Sequence, residues 1–198
     1  MALSIIDKAF YLRDPAIVAM ELLGSLLVRT YNGKRLSGII VETEAYYGQW
    51  DPASRAHKSL RGDLAKTLYG DVGCALVYGV HRQWLLNVVA HAEGDGGAVL
   101  IRAIEPVEGL DVMARLRCTN DVRELTNGPG KLTKALAIDK SFHKKPLYTT
   151  CFGLWIEKYK AVKPSEIAKS KRIGVSRDLD MPLRFYIKGN PYVSKAQA

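Results

Sequence analysis

The sequence predicts a single α+β domain, residues 1–198, in which a curved antiparallel β-sheet carries peripheral helices. A chain of 198 residues with 47% hydrophobic residues is long enough to bury one core. Two apolar segments flank Asn32-Gly33, the dipeptide that best suits a two-residue type I′ hairpin turn. Three further strand-like segments follow, each bounded by glycine or polar residues, so we expect antiparallel neighbours.

The helices are predicted from the signals at their ends. Asp14-Pro15 combines an N-cap with proline at the first helical position, and the apolar pattern that follows ends at Gly24. Glu105-Pro106 indicates the start of a second helix, which extends to Arg117. A third helix is predicted at residues 131–138, behind a glycine-rich turn.

The strands are predicted from apolar runs between turn residues. The two hairpin strands cover residues 26–31 and 34–46. The remaining strands are expected at residues 74–80, 84–90, 98–104, 148–156 and 183–188. Residues 158–171 form the one linker-like stretch in the sequence, which contains no internal repeat.

The positive charge is concentrated in the last third of the chain. The whole sequence has a net charge of +9, and residues 131–198 hold 15 Lys or Arg against 5 Asp or Glu. The first 130 residues are almost neutral, with 14 basic and 15 acidic side chains. Such a distribution suits a polyanionic partner such as nucleic acid, although a solvated lysine-rich surface gives the same pattern.

Cysteine usage and the N-terminal segment favour an intracellular protein without a membrane anchor. The three cysteines, Cys74, Cys118 and Cys151, lie far apart and form no Cys-x-x-Cys pair. The four histidines show no metal-ligand spacing, so we expect neither a metal nor another cofactor. Residues 1–13 lack the apolar run of a signal peptide, and no run approaches the roughly 20 apolar residues of a membrane span.

Two glutamates in the second hairpin strand are the first candidates for chemistry. Strand side chains alternate between faces, so Glu42, Glu44 and Tyr46 share a face, with about 7 Å between successive members. Paired glutamates are also common on the solvated face of a strand. The rings of Tyr46, Trp50 and His57 favour a binding site, because a solvated loop has no reason to carry so many flat side chains.

Five segments resemble the alkyladenine (3-methyladenine) DNA glycosylase family, in the same order along the chain. Val-Glu-Thr-Glu-Ala-Tyr at residues 41–46 is similar to the family signature Glu-Thr-Glu-Ala-Tyr, and Asp-Pro-Ala-Ser at 51–54 with His57 resembles the loop behind it. The other similar segments are residues 99–110, 126–132, 172–175 and 182–186. Collinear segments across about 150 residues are more specific than any single short motif.

The resemblance implies a monofunctional enzyme that hydrolyses the bond between a flipped purine and deoxyribose. It assigns Glu44 as the base that deprotonates the attacking water, with a lesser, structural role for Glu42. A carboxylate suits this step, because it can activate water and stabilise oxocarbenium charge. Arg102 matches the family arginine that holds the water, and Ile173 matches the residue whose backbone carbonyl completes the water site. A salt bridge from Arg102 to a glutamate is an alternative that also positions Glu44.

The resemblance also implies a base pocket with aromatic walls. Tyr46 and His57 match the residues that sandwich the flipped base, and stacking on these rings favours cationic N-alkylated purines. The loop before His57 is about two residues longer than the common pattern. Asn87 matches the asparagine that disfavours the exocyclic amine of guanine, with a buried amide between two strands as the alternative. The third aromatic position aligns with Val77, or with Tyr78 if the segment shifts by one residue.

The residue that fills the space of the flipped nucleotide departs from the family pattern. Counting back from Asn87 places Val80 where the family has a tyrosine wedge. Tyr78 and His81 are the other candidates, depending on the hairpin register. The sequence therefore leaves both the wedge and the preferred lesion open.

Contacts with the DNA backbone are predicted at two basic segments. Gly130 and Lys131 lie where a glycine-rich turn opens a helix, and free N–H groups at a helix start suit a phosphate. Lys171 and Arg172 are expected beside this turn. A simple connection between two elements is the alternative for the turn.

The predicted partner is double-stranded DNA that contains damaged purines, bound by a monomer located with the genome. The sequence does not rank 3-methyladenine, 7-methylguanine, hypoxanthine and ethenoadenine as substrates. A nucleic-acid-binding module without chemistry is the main alternative, but it has no use for Glu44 and Arg102 in the path of a polyanion. A combined glycosylase and lyase needs a lysine nucleophile in the pocket, and no lysine occurs between Lys34 and Lys58.

Overall fold

The computed structural model of the chain describes residues 4–194, which confirm the predicted α+β class. The α-helices in this range are α1 (Pro15–Glu21), α2 (Asp63–Leu68), α3 (Leu110–Arg117) and α4 (Pro129–Ala135). The strands are β1 (Leu26–Tyr31), β2 (Lys34–Tyr47), β3 (Ala75–Val80), β4 (Gln83–Val89), β5 (Gly97–Glu108), β6 (Leu154–Glu157), β7 (Ile167–Ser170) and β8 (Arg184–Ile187). Short 3₁₀ helices cover Lys8–Tyr11, Val122–Glu124, Lys140–Phe142, Thr150–Phe152 and Pro164–Glu166.

All eight strands belong to one antiparallel sheet with β2 at its centre. Six strands follow the order β3-β4-β5-β2-β1-β6, and β8 pairs with both β2 and β7. β5 runs along one edge of β2 from Ser37 to Tyr47, whereas β1 and β8 share the other edge. The part of β2 that pairs with β8 is Glu42–Glu44, so both glutamates lie in the interior of the sheet.

The first hairpin and the first helix form where the local signals predict them. Asn32 and Gly33 have φ angles of 48° and 75°, the left-handed values that a type I′ turn requires. The Asp14 side chain accepts a hydrogen bond from the backbone N–H of Ala16 at 2.8 Å, and Pro15 occupies the first helical position. These contacts lie within a few residues of one another, which explains why the sequence is sufficient to predict them.

The second predicted helix begins later than expected. Residues 105–108 continue β5, because their backbone pairs with the first half of β2. Pro106 lies there at a register irregularity, a position that tolerates proline within a sheet. α3 starts only after Gly109, whose φ of 75° turns the chain and whose missing side chain leaves room for Leu36. The predicted helix start at Glu105-Pro106 is therefore wrong.

Other differences concern short elements that depend on tertiary contacts. The predicted linker at 158–171 contains β7, which pairs with β8. The strand predicted at 148–156 begins only at Leu154, after a 3₁₀ turn that Thr149 caps. α4 begins at Pro129, two residues before its predicted start. α2 has only six residues, too few to show an apolar period in the sequence.

Both faces of β2 are covered between Ile40 and Ala45. On one face α1 packs against the strand, and the Thr43 hydroxyl donates a hydrogen bond to the Ala19 carbonyl at 2.8 Å. On the other face, residues from the segment 172–194 lie over the glutamates and contact them. The carboxylates are therefore enclosed by protein, instead of standing on a solvated face of the strand.

Candidate active site

A register shift in the sheet brings Glu42, Glu44 and Arg102 together. The pairing of β2 with β5 is irregular on both sides of Glu42. Arg102 lies between the paired residues Ile101 and Ala103 and has no partner of its own in the ladder. Bulges of this kind redirect side chains and are common beside functional sites. The Arg102 guanidinium reaches both carboxylates.

Glu44 is fully buried, and two hydrogen bonds and one ion pair hold its carboxylate. The backbone N–H of Ile173 donates to Oε1 at 2.8 Å. The Tyr46 hydroxyl donates to Oε2 at 2.8 Å, and Nη1 of Arg102 lies 3.2 Å from the same oxygen. A carboxylate offers about four lone-pair positions, so these contacts leave room for a further donor such as water.

Glu42 is also fully buried, but its carboxylate has a complete set of partners. Oε1 accepts hydrogen bonds from Nε of Arg102 at 2.8 Å, from Nε of Arg184 at 2.7 Å and from the Ser194 hydroxyl at 2.8 Å. Oε2 accepts one from the Ser194 N–H at 2.6 Å. Glu42 thus joins β2, β5 and β8 as the counter-ion of two guanidinium groups.

The surroundings of Glu44 change its pKa in opposite directions, and burial dominates. Loss of solvation raises the pKa above the ordinary glutamate value, whereas Arg102, the Ile173 N–H and the Tyr46 hydroxyl lower it. The net direction is upward, which makes the ionised carboxylate a stronger base toward a bound water. Burial and the Glu44 charge also raise the pKa of Tyr46 well above its ordinary value, so its hydroxyl stays protonated and donates.

Arg172 is a buried clamp, which corrects its predicted role as a phosphate contact. Its guanidinium makes two hydrogen bonds to Asp51, at 2.6 and 2.8 Å, and two to Asp178, at 2.6 and 2.8 Å. It also lies over the Tyr46 ring, 4.5 Å from the centroid. The side chains of Arg172 and Asp51 are both 0% exposed, so the charge of Arg172 is satisfied inside the protein. Its chain neighbour Ile173 is thereby held against Glu44.

A cavity beside this network contains three of the predicted pocket residues. Tyr46, Tyr78 and Asn87 line it, and it holds about 230 Å³ of empty space, including a part open to solvent. The Tyr46 hydroxyl connects the cavity wall to Glu44. Nδ2 of Asn87 donates to the Leu76 carbonyl at 3.0 Å, so this amide does tie β3 to β4. Its effect on guanine stays a prediction.

The two candidates for the third aromatic position, Val77 and Tyr78, lie on opposite sides of β3. Val77 is buried in the core on the opposite side of β3. Tyr78 is partly exposed and lines the cavity. The position of Tyr78 agrees with the one-residue shift, and its role in holding a base stays a prediction.

Arg55, which the sequence did not single out, lies in the cavity wall, and His57 is not among the lining residues. The Arg55 guanidinium carbon lies 4.6 Å from the centroid of the Tyr78 ring. Nδ1 of His57 lies 2.9 Å from the carbonyl oxygen of Gln49, on its own loop. Successive tight turns from Asp51 onward point these two side chains in different directions. In the sequence, the one signal for Arg55 is its position two residues before His57, in a segment that resembles the family loop.

Comparisons with known proteins establish the family. The sequence profile described as Methylpurine-DNA glycosylase (MPG) matches residues 9–191. The chain belongs to the methylpurine-DNA glycosylase family. It is therefore a DNA repair enzyme that hydrolyses N-glycosyl bonds, which confirms the resemblance found in the sequence.

Three similar proteins each carry the name "Putative 3-methyladenine DNA glycosylase". They come from Aeropyrum pernix, Carboxydothermus hydrogenoformans and Prosthecochloris aestuarii. Their identities to this chain are 48%, 45% and 41%, over 98%, 96% and 96% of its length. The matches cover 94%, 99% and 90% of the three relatives, so the likeness extends over nearly the whole of each protein.

The wedge candidates of the glycosylase lie at the tip of the β3–β4 hairpin. Val80 is two residues beyond Tyr78 on β3, so both side chains belong to the same face of the strand. His81 and Arg82 form the turn with φ angles of 47° and 62°, and both are exposed. Tyr78 lies in the cavity wall, which leaves Val80 and His81 at the tip.

The glycine-rich turn before α4 packs beside this hairpin tip. Gly130 is buried directly against the Gln83 side chain, and a Cβ atom there would overlap with it. Nζ of Lys131 contacts the Glu124 carboxylate and lies 2.8 Å from Oδ1 of Asn127. The turn therefore connects two elements closely. A phosphate contact by Lys131 stays a prediction.

Lys171 lies on the surface, unlike its neighbour Arg172. It pairs with Asp180 at 3.1 Å, and the two side chains are 68% and 99% exposed. A surface pair of this kind is weak, so the lysine can exchange its partner for a phosphate.

A larger cavity of about 520 Å³ lies between α2 and the start of β3. None of the predicted site residues lines it, and its wall includes Asp63, Lys66, Cys74 and Lys144. Within residues 4–194, no three His, Cys, Asp or Glu side chains come together in a metal-binding group. No helix in this range has the length and apolar character needed to cross a bilayer.

Proposed function

We propose that the enzyme flips damaged purines out of double-stranded DNA and hydrolyses their N-glycosidic bond with a water that Glu44 activates. Its substrates belong to the class of 3-methyladenine, 7-methylguanine, hypoxanthine and ethenoadenine. The enzyme acts as a monomer and needs no cofactor. The observation that carries the proposal is the buried Glu44 carboxylate, which two hydrogen bonds and the Arg102 ion pair fix and which keeps a free lone-pair position for water.

In the proposed reaction, the Glu44 carboxylate accepts a proton from the water as the water oxygen attacks C1′ of the deoxyribose. The bond between C1′ and the purine nitrogen breaks, and its electron pair leaves with the base. A cationic alkylated purine departs as a neutral base and needs no further proton, whereas a neutral purine departs as an anion and takes a proton from solvent. The nearby carboxylate also stabilises the oxocarbenium charge that develops on the sugar.

Arg102 and Ile173 position the base and its water. Arg102 bridges Glu42 and Glu44, so its charge favours the ionised form of Glu44 against the effect of burial. The Ile173 N–H orients the carboxylate, and we assign the water contact to its backbone carbonyl. Arg172 fixes the backbone of this segment through Asp51.

The flipped base is proposed to enter between the aromatic walls of the cavity. Tyr46 and Tyr78 provide π faces for stacking. Asn87 is held rigidly by the Leu76 carbonyl, and a fixed amide in the wall can oppose the exocyclic amine of guanine. His57 contributes to the entrance only if its loop rearranges when DNA binds, because its ring faces Gln49.

The DNA duplex is proposed to lie across the hairpin tip. Val80 and His81 enter the space of the flipped nucleotide, and Gly130 and Lys131 approach the adjacent backbone. Exposed Lys171 contributes a second phosphate contact. The net charge of +9 supports a large electrostatic share of the binding.

The decisive experiment is single-turnover base release from duplexes that each carry one defined lesion, followed through free base and alkali-sensitive strands. Glu44→Gln should lower the rate by about 10²-fold to 10⁴-fold, because the amide keeps the shape but cannot accept the proton. Glu93→Gln, at an exposed glutamate, makes the same change of charge and should leave the rate unchanged. Binding of damaged DNA by Glu44→Gln should persist. Retention of the wild-type rate by this variant would contradict the proposed base.

A further inference from the structure

We propose that Arg55 is a specificity-determining residue of the base pocket, whose charge selects neutral damaged purines over cationic ones. The guanidinium lies over the Tyr78 ring in the wall of the cavity. The guanidinium is a planar cation on an aromatic face. It therefore lies where a cationic alkylated purine would stack on the same ring. The inference rests on the proposed function and refines its substrate class.

Arg55 differs from the other guanidinium groups near the pocket in the partner of its charge. Arg102 and Arg184 pair with Glu42, and Arg172 pairs with Asp51 and Asp178. Among residues 4–194, no carboxylate forms an ion pair with Arg55, whose described contact is the Tyr78 ring. These three guanidinium groups lie among four carboxylates, since Arg102 also pairs with Glu44, whereas Arg55 places its charge in the cavity wall outside these ion pairs.

The space in the cavity requires contact between Arg55 and an incoming base. The enclosed part of the cavity has about the size of one water molecule, far smaller than a purine. A base that stacks on Tyr78 must displace the guanidinium or lie on the other face of the same ring. Because Arg55 is exposed, it can move by rotation of its side chain. While the guanidinium stays on the Tyr78 ring, its charge lies within about two ring thicknesses of a base on the other face.

The repulsion distinguishes lesions by charge. Methylation at N7 makes guanine cationic, whereas hypoxanthine is neutral. At about 5 to 8 Å and an effective dielectric constant of about 20, two unit positive charges repel each other. The repulsion energy corresponds to a factor of roughly 30 or more in the equilibrium constant for binding the base. Screening by solvent at an exposed residue reduces this to about tenfold. The charge of Arg55 therefore weakens the binding of formally cationic alkylated purines relative to that of neutral deaminated purines, against the gain from stacking on the rings.

The test compares single-turnover release of 7-methylguanine and hypoxanthine from otherwise identical duplexes. We use the ratio of the two rates, because any loss of general DNA binding affects both duplexes equally. Arg55→Gln should raise the ratio of 7-methylguanine to hypoxanthine release about tenfold. Arg55→Lys keeps the charge and should preserve the wild-type ratio. Arg61→Gln removes an exposed charge from the same loop and should preserve it as well.

Several results would overturn the inference. An unchanged ratio in Arg55→Gln would mean that the charge does not select the lesion, including the case in which Arg55 binds a phosphate and both rates fall together. An equal rise in Arg55→Lys would assign the effect to shape, and an equal rise in Arg61→Gln would assign it to total charge. If the wild-type enzyme released neither base, the proposed function would fail and this inference with it. Release of both bases with a constant ratio would remove the inference alone.

Discussion

The Asp51→Asn substitution tests the buried clamp that holds the active-site segment. Asp51 and Arg172 are both fully buried, and the carboxylate accepts two hydrogen bonds from the guanidinium. It also accepts the backbone N–H groups of Tyr47 and Ala53 at 3.0 Å. Asparagine keeps the shape but places an N–H₂ donor against these donors, so the buried guanidinium loses half of its counter-charge.

Breaking a buried ion pair from one side costs about 3 to 5 kcal/mol. Asp178 keeps one partner for Arg172, so we expect the lower end, about 3 kcal/mol. For a chain of 198 residues this corresponds to a decrease in Tm of about 6 to 12 °C. Thermal unfolding followed by circular dichroism measures it directly.

The matched control is Asp180→Asn, which breaks the exposed ion pair with Lys171, the residue that precedes Arg172 in the chain. This variant should show little change in Tm, because exposed ion pairs contribute little. Equal Tm values for Asp51→Asn and Asp180→Asn would refute the clamp. Asp51→Asn should also move the acid limb of the rate to higher pH, because Ile173 then holds the Glu44 anion less firmly.

Four further predictions concern the active site and the DNA contacts. Burial raises the pKa of Glu44, and the protonated carboxyl group cannot accept a proton from water. As the pH decreases, single-turnover base release should therefore begin to fall at a higher pH than an ordinary glutamate would give. A rate–pH profile without this limb would contradict the assignment. Glu42→Gln leaves two buried guanidinium groups without their shared counter-ion and should lower the free energy of unfolding by about 3 to 5 kcal/mol in denaturant titrations. Stability equal to the wild type would show that the pairs are dispensable. Lys171→Ala and Lys131→Ala should each reduce by about 0.9 the slope of the logarithm of the DNA association constant against the logarithm of salt concentration. DNA-binding titrations measure this slope, and an unchanged slope in either variant would exclude that phosphate contact. Val80→Tyr should strengthen flipping of a fluorescent ethenoadenine lesion, because a ring fills the vacated space better than valine. No change in fluorescence would mean that Val80 is not the wedge, and His81 would be the next candidate.

Much of the fold and part of the site could be predicted from the sequence because their causes are local. The Asp14-Pro15 helix start and the Asn32-Gly33 turn depend on neighbouring residues, and both are confirmed. Alternation along β2 placed Glu42, Glu44 and Tyr46 together, and Tyr46 contacts Glu44 directly. The family could be recognised from the ordered segments, since their residue types occur at fixed positions along the chain.

Long-range contacts account for the errors. The second helix was placed too early because its first residues pair with β2, which lies more than 60 positions earlier in the chain. Arg172 was assigned to phosphate because a basic residue in a basic segment shows no sign of burial in the sequence. Its partner Asp51 is 121 residues away. Arg55 and His57 differ in position because the turns of their loop orient them differently.

The sequence by itself determined the fold class, the central hairpin, the family and the candidate residues Glu44, Arg102, Tyr46 and Asn87. The resemblance gave the two glutamates different roles, but only the tertiary structure showed that Glu42 has a complete set of partners and that Glu44 keeps a free lone-pair position. It also placed Arg172 inside the protein and Arg55 in the pocket wall. The physical reason is that residue type and alternation set the chemistry and the face of a side chain. Burial and counter-ions depend on segments that meet only in the folded chain.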